Sequence, residues 1–320
     1  MTQERHIAVL SRLLFQGYGP GWAAPKHNLE AIYPDLEYVS GLNDEGLQEL
    51  SATADTHHVL MRAFQVLERA ASIRGDARIE ERCQRELARE ASRVVHAVDS
   101  LAPICAALEQ AGCPVTVIKS LDHWPDLGSD LDLYTSGHPD TVLRVMEDKF
   151  AATTAARSWG DRLANKWNFS VPGLPELIEI HVQHLGQTGE HTAIAKRVIE
   201  RRVVREIAGN LFRVPAPEER IVISTLQRMY RHFYFRLCDM ADVWALLQQQ
   251  ALDFAELHKA ADAGGIWPGA ATFLHLIAKY VRRYRAMVDL PESVVAAAHA
   301  PKMEVHLQGD FLRVPLLPSA

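Results

Sequence analysis

The chain has 320 residues, 48% of them hydrophobic and 23% charged, with a formal net charge of −6 and a pI near 6.2. That length allows one large or two modest domains with a substantial core, and the acidic balance argues against a broad electrostatic grip on nucleic acid, so no strong nucleic-acid binding is expected. Cys83, Cys105, Cys113 and Cys238 lie far apart with no Cys-x-x-Cys pair, which points to buried thiols in a reducing compartment rather than to a zinc ribbon or disulfide framework.

The N-terminus, MTQERHIAVLSRLLF, lacks the apolar core of a secretion signal, and no later run reaches the length of a membrane span. The expectation is a cytoplasmic protein with no membrane partner. Residues 1–110 read as helical. Arg5–Phe15 is followed by a Gly/Pro-rich loop (GYGPGWAAPKHN), Val59, Leu60, Phe64, Val66 and Leu67 mark an amphipathic helix, and a longer one runs from about Ala77 to Ala111 with an interruption at Pro103. His57-His58 invites a metal reading, but adjacent helical residues diverge by about 100° and no carboxylate motif accompanies them, so packing or solvent-facing histidines are expected.

Gly112 ends that helix and Val115 opens the first convincing strand. A turn-rich stretch holding Pro125, Gly128 and Ser129 leads into Asp130-Leu131-Asp132-Leu133. A helix over about Pro139–Lys149, a strand over Lys166–Val171, a turn at Pro172–Pro175 and a strand over Glu176–His184 complete a small mixed sheet. From about Thr192 the chain reads as helical again. Breaks at Arg213–Pro217 precede a helix over Glu219–Tyr234 that continues or kinks into Arg236–Gln250, then helices over Asp253–Ala263, Pro268–Val288 and Pro291–Ala300, and an extended tail from His306.

The alternation at Asp130–Leu133 has the period of a strand and puts both aspartates on one face. Adjacent carboxylates repel each other unless a cation neutralises them, so the pair reads as a divalent metal site. Glu179, alternating with Leu177, Ile178 and Ile180, shares a face with His181. Beside the aspartate strand it would complete a carboxylate trio for Mg²⁺ or Mn²⁺. One ion would activate an attacking hydroxyl while another clamps a triphosphate. His181 and His184, three apart on a strand, cannot converge on zinc, so His181 reads as a partner of Glu179 or a substrate contact. Lys119-Ser120 closes the first strand, where a small residue lets backbone amides meet phosphate oxygens and a lysine adds charge. Arg228, His232 and Arg236 fall at i, i+4 and i+8 and would line one helical face as a phosphate-holding stripe. A solvated face paired with nearby acids is the competing reading. Arg157, Arg162 and Lys166 could flank the cleft.

Val117-Ile118-Lys119-Ser120, Ser129-Asp130-Leu131-Asp132-Leu133 and Glu179-Ile180-His181 together resemble the DNA polymerase β-type nucleotidyltransferase superfamily. Within it the nearest resemblance is to the uncharacterised bacterial nucleotidyltransferase family whose first strand reads Leu-Lys-Gly. Arg228–Leu247 (RMYRHFYFRLCDMADVWALL) resembles that family's helix in which a His and an Arg-Leu pair precede an Asp-Leu. Ser120 stands at the glycine's place and adds a side chain where phosphate should pass close to backbone. The Lys119–Asp130 connection is also short and Pro-interrupted.

The resemblance implies an α+β fold, with a small mixed-sheet nucleotidyltransferase core (111–191) flanked by an N-terminal helical region (1–110), a C-terminal helical domain (192–305) and an extended tail (306–320). It implies Mg²⁺- or Mn²⁺-dependent transfer of a nucleoside monophosphate from an NTP to a hydroxyl-type acceptor on a small molecule, peptide or protein. Asp130, Asp132 and Glu179 would be catalytic metal ligands, Lys119, Ser120, Ser129, Arg228, His232 and Arg236 would hold nucleotide or phosphate, and His181 and Asp239 would support them. The alternatives are a catalytically reduced nucleotidyltransferase fold that binds nucleotide or a partner protein, and an Asp-x-Asp glycosyltransferase.

Overall fold

The structure, a computed structural model, describes residues 2–18, 25–186, 192–284, 286–299 and 303–314. Residues 19–24 of the expected Gly/Pro-rich loop, and 315–320 of the expected tail, lie outside the described residues. The chain divides into two compact units. The first comprises the chain up to Ser92, Arg228–Leu252 and the chain from Pro268 on, and the second comprises Arg93–Gln227 and Asp253–Trp267.

The second unit carries the main sheet. Strands β1 (Val115–Val117), β2 (Asp130–Thr135), β3 (Thr153–Thr154), β4 (Lys166–Ser170) and β5 (Leu177–Val182) lie in the order β1-β2-β5-β4-β3. β2 runs parallel to β5 and antiparallel to β1, and β4 pairs antiparallel with both β5 and β3, so the sheet is mixed. Register puts Leu131 beside Ile178 and Leu133 beside Ile180. All four side chains are fully buried in the core, together with Val142, Val145 and Met146 of the helix Pro139–Phe150. Each such side chain contributes about 1.5–3 kcal/mol of burial. A one-residue slip would turn these side chains to the polar face, so the register that positions the site is held by the core on the sheet's other side.

Beyond β5 the structure departs from the helical expectation. After the helix Thr192–Glu200, residues expected to remain helical form a hairpin of β6 (Arg202–Ile207) and β7 (Asn210–Pro215). Ala208 and Gly209, both at positive φ, make its two-residue turn, the geometry that matches strand twist. The run Arg-Val-Val-Arg-Glu-Ile before Ala-Gly-Asn carries the β-branched residues and the turn that signal a hairpin.

The first unit is helical apart from a three-stranded sheet in the order β8-β10-β9, formed by β8 (Tyr234–Phe235), β9 (His306–Gln308) and β10 (Phe311–Arg313). The expected continuous helix through Tyr234 is not found. Pro217–Thr225 is α-helical, Leu226–His232 is a π-helical turn, and Phe233 at φ 55° ends it. Tyr234 and Phe235 then pair with Arg313 and Leu312 before the helix Leu237–Gln248 begins. Long-range strand pairing overrides the local helical pattern there. Conversely, Pro103 does not interrupt the helix Ala77–Gln110. That helix is long and apolar enough to cross a membrane by length and composition alone, but Val98, Leu101, Ile104 and Leu108 on it are fully buried in the core of the second unit.

Candidate active site

The polar face of the β2–β5–β4 sheet gathers the site. Asp132 stands opposite Glu179, Tyr134 opposite His181, and Lys166 of β4 opposite His181. Asp132 and Glu179 are each 8% exposed and His181 4%. One ligand atom from each of these three lies within 4.8 Å of the other two. His181 Nε2 is 2.9 Å from Glu179 Oε1 and 3.6 Å from Asp132 Oδ1. The imidazole Nδ1 is buried and has no hydrogen-bond partner among the described residues.

Two lysines enter this cluster. Lys119 Nζ donates to Asp132 Oδ1 at 2.5 Å and lies 3.8 Å from Glu179 Oε1. Lys166 Nζ donates to Glu179 Oε2 at 2.8 Å and lies 3.0 Å from Asp161 Oδ1. Burial works against ionising Glu179, but the His181 hydrogen bond and the charges of Lys119 and Lys166 hold its carboxyl far below the usual range. Burial likewise opposes charge on Lys166, and Glu179 and Asp161 raise its pKa in spite of that. The Asp161 carboxyl is lowered against its own partial burial by Ser158 and Lys166.

Lys119 sits on a strained turn. Its φ is 59° and ψ −62°, and the Ser120 N–H donates to the Ile118 carbonyl at 2.6 Å across it. This is the γ-turn that non-glycine residues seldom adopt. Ser120 secures the turn to β2, since its Oγ accepts from the Asp132 N–H at 2.8 Å and donates to the Asp130 carbonyl at 3.1 Å. Ser120 is 3% exposed, and both its amide and its hydroxyl are used within the fold. The following turn, Ser120–His123, is pinned by Arg205 to the Leu121 carbonyl at 3.0 Å and by Arg220 to Asp122 at 2.6 Å. Arg93 spans the loop before β2 and the start of β5, reaching the Leu127 and Gly128 carbonyls and Glu176.

The structure therefore brings together Asp132, Glu179, His181 and Lys119. Asp130 shares their strand face but is partly exposed, with the Ser129 hydroxyl on its carboxylate, and is not one of the three ligands that converge. Asp161, unremarked in the sequence, joins through the capping box of Ser158 on the helix Trp159–Leu163, a Ser-x-x-Asp spacing that could have flagged it. Lys166, expected only to flank the cleft, bonds the carboxylate of Glu179.

Arg228, His232, Arg236 and Asp239 belong to the first unit and do not share one helical face, because the π-helical turn and β8 intervene. Arg228 is buried with its Nε 2.8 Å from Asp239. Asp239 also accepts from the Arg236 N–H at 2.7 Å, and the Arg236 guanidinium meets His58 Nε2 at 3.0 Å. His232 is half-buried, its ring 5.4 Å from that of Tyr234. His57 is structural, as expected. Nδ1 accepts from the Leu237 N–H and Nε2 donates to the Asp310 carbonyl, and burial lowers its pKa to about 4.

Two inward carboxylates backed by a buried imidazole fit a small divalent cation bound mainly through oxygen, with Lys119 already seated on one of the oxygens it would use.

Residues 43–283 match the model of a family described as uncharacterised nucleotidyltransferase. Among solved structures, the chain is similar to that of an antigenic nucleotidyltransferase-like protein from Paracoccidioides brasiliensis, with 14% identity and a TM-score of 0.39 over 66% of this chain and 98% of that one. No curated protein matches the chain.

Proposed function

The chain belongs to the uncharacterised nucleotidyltransferase family, and from that membership we propose that it transfers a nucleoside monophosphate from an NTP to a hydroxyl-type acceptor on a small molecule, peptide or protein, with Mg²⁺ or Mn²⁺. The observation that carries this reading is the register of Asp132 against Glu179 on adjacent parallel strands, with His181 beside both. Asp132 and Glu179 would hold the ion, joined by Asp130 from the same strand face. Bound there, the ion supplies charge stabilisation of the phosphates and lowers the pKa of an attacking hydroxyl.

The chain's own residues prepare that chemistry. His181, Lys119 and Lys166 keep Glu179 ionised, and Lys166, braced by Asp161, fixes the orientation of its carboxylate. The Lys119 ammonium is the cation available to a triphosphate, because a point charge on a flexible stem can turn from carboxylate to phosphate. Incubation with each NTP, Mg²⁺ or Mn²⁺ and a cell extract should release pyrophosphate and transfer label to an acceptor. Turnover that survives Asp132→Asn undiminished would overturn the reading.

A second reading has its own observation. With the Ser120 amide and hydroxyl both engaged within the fold, a fold that binds nucleotide or a partner protein without catalysis is favoured if calorimetry shows NTP binding that does not depend on Mg²⁺.

A further inference from the structure

We propose that Lys119 is the resident cation of this site, and that a divalent ion enters only as the Lys119 ammonium leaves the carboxylates. The inference rests on the metal-dependent reading above and adds an order to it. The ammonium lies 2.5 Å from Asp132 and 3.8 Å from Glu179, so it takes up carboxylate oxygens that a metal would need. Two like charges cannot share those oxygens at contact distance without strong repulsion. The placement is built in rather than incidental. The γ-turn holds Lys119 in a strained backbone region, with φ 59° and ψ −62°, and Ser120 ties that turn to the backbone on either side of Leu131.

Charge balance then sets the sequence of events. In the absence of substrate, Lys119 and Lys166 offset two of the three negative charges of Asp132, Glu179 and Asp161, and His181 is hydrogen-bonded to Glu179. A nucleoside triphosphate brings new negative charge for the ammonium as its accompanying divalent ion takes the carboxylates. Lys119 exchanges one anionic partner for another, and no ion pair is left half-made. Free metal alone must displace the lysine into water and binds weakly. Metal and nucleotide therefore bind cooperatively, with Lys119 as the coupling element.

The test is a titration of the nucleotide-free protein with MnCl₂, followed by calorimetry and by the electron paramagnetic resonance signal of free Mn²⁺. Lys119→Gly removes the ammonium and suits the positive φ, while Lys119→Met keeps the apolar stem, so one of the two tests the proposal even if the other is poorly folded. Both should bind Mn²⁺ at least about tenfold more tightly than the wild type, Lys119→Arg should stay near the wild type, and adding Asp132→Asn to Lys119→Gly should abolish the gain. Affinity that is unchanged or weaker in both the Gly and Met variants overturns the proposal. Pyrophosphate release, measured separately, distinguishes the two readings. Tight Mn²⁺ binding by the variants with no turnover by the wild type leaves the displacement intact and removes the transferase. Vigorous wild-type turnover with unaltered Mn²⁺ affinity in the variants does the reverse.

Discussion

Each unit of the molecule buries a cluster of opposite charges, and the two differ in how many partners share it. In the first unit, one guanidinium meets one carboxylate. Arg228 faces Asp239, and the same Asp239 oxygen accepts from the backbone N–H that opens the next helix. In the second unit, Asp132, Glu179 and Asp161 share Lys119, Lys166 and His181 across several contacts, and one lysine is held on a strained turn. A closed pair specifies a fold. A shared cluster stores strain and spreads its charges over several partners, which is how functional sites are usually built.

The largest expected effect is the removal of one partner from the closed pair. Arg228→Met leaves Asp239 buried without its counterion and should cost about 3–5 kcal/mol of stability, read as a lower midpoint in urea unfolding. A loss below about 1 kcal/mol would erase the distinction between the clusters.

Acid should separate the two units next. His57 is buried neutral, its pKa lowered from 6.5 to about 4, so the unfolded chain binds the extra proton first as pH falls. The stability from neutral His57 is present above pH 6.5 and is lost as pH falls toward 4, in all about 3 kcal/mol. Glu179 acts in a lower window. With its folded pKa depressed from 4.5, its contribution is present above about pH 4.5 and declines only below it. Unfolding free energies from pH 7.5 to 4.5 should therefore fall in the wild type and much less in His57→Gln.

Asp132→Asn probes the shared cluster in the opposite sense. Pyrophosphate release should drop on the order of 100-fold or more, about 2.7 kcal/mol in the barrier, while stability changes by less than about 1 kcal/mol, because Lys119 keeps Glu179 nearby and a carboxylate is removed from a crowded acidic face. A loss of stability as large as that of Arg228→Met would show that the Asp132 cluster, too, is a structural pair.

The sequence made the sheet face legible because alternation is a local signal. Asp130, Asp132, Glu179 and His181 each reveal their facing through their immediate neighbours. What it hid depends on long-range contacts. The strand at Tyr234–Phe235 exists only because residues near 312 pair with it, so a helical period through Arg228, His232 and Arg236 was locally reasonable and tertiarily wrong. The hairpin at Arg202–Pro215 is different, since its β-branched residues and its Ala-Gly turn were readable. Lys166 and Asp161 gain their place from strand register and a helix cap, and neither shows which carboxylate it will meet.

Ser120 gives the smallest effect and the sharpest comparison of motif with structure. By the family resemblance a glycine belongs there, and Ser120→Gly should then ease the approach of phosphate to backbone. The structure gives the hydroxyl a different task, since it satisfies the Asp132 N–H and the Asp130 carbonyl where β1 has already ended. Removing it leaves a buried donor and acceptor facing a void, at a cost of about 1–3 kcal/mol. The same change loosens the turn that seats Lys119. Ser120→Gly is therefore expected to lower stability by that amount and also to tighten Mn²⁺ binding, though by less than Lys119→Gly does. Glycine that raises both stability and nucleotide turnover would mean that Ser120 is a tolerated departure from the motif and that the hydroxyl does not hold Lys119 in place.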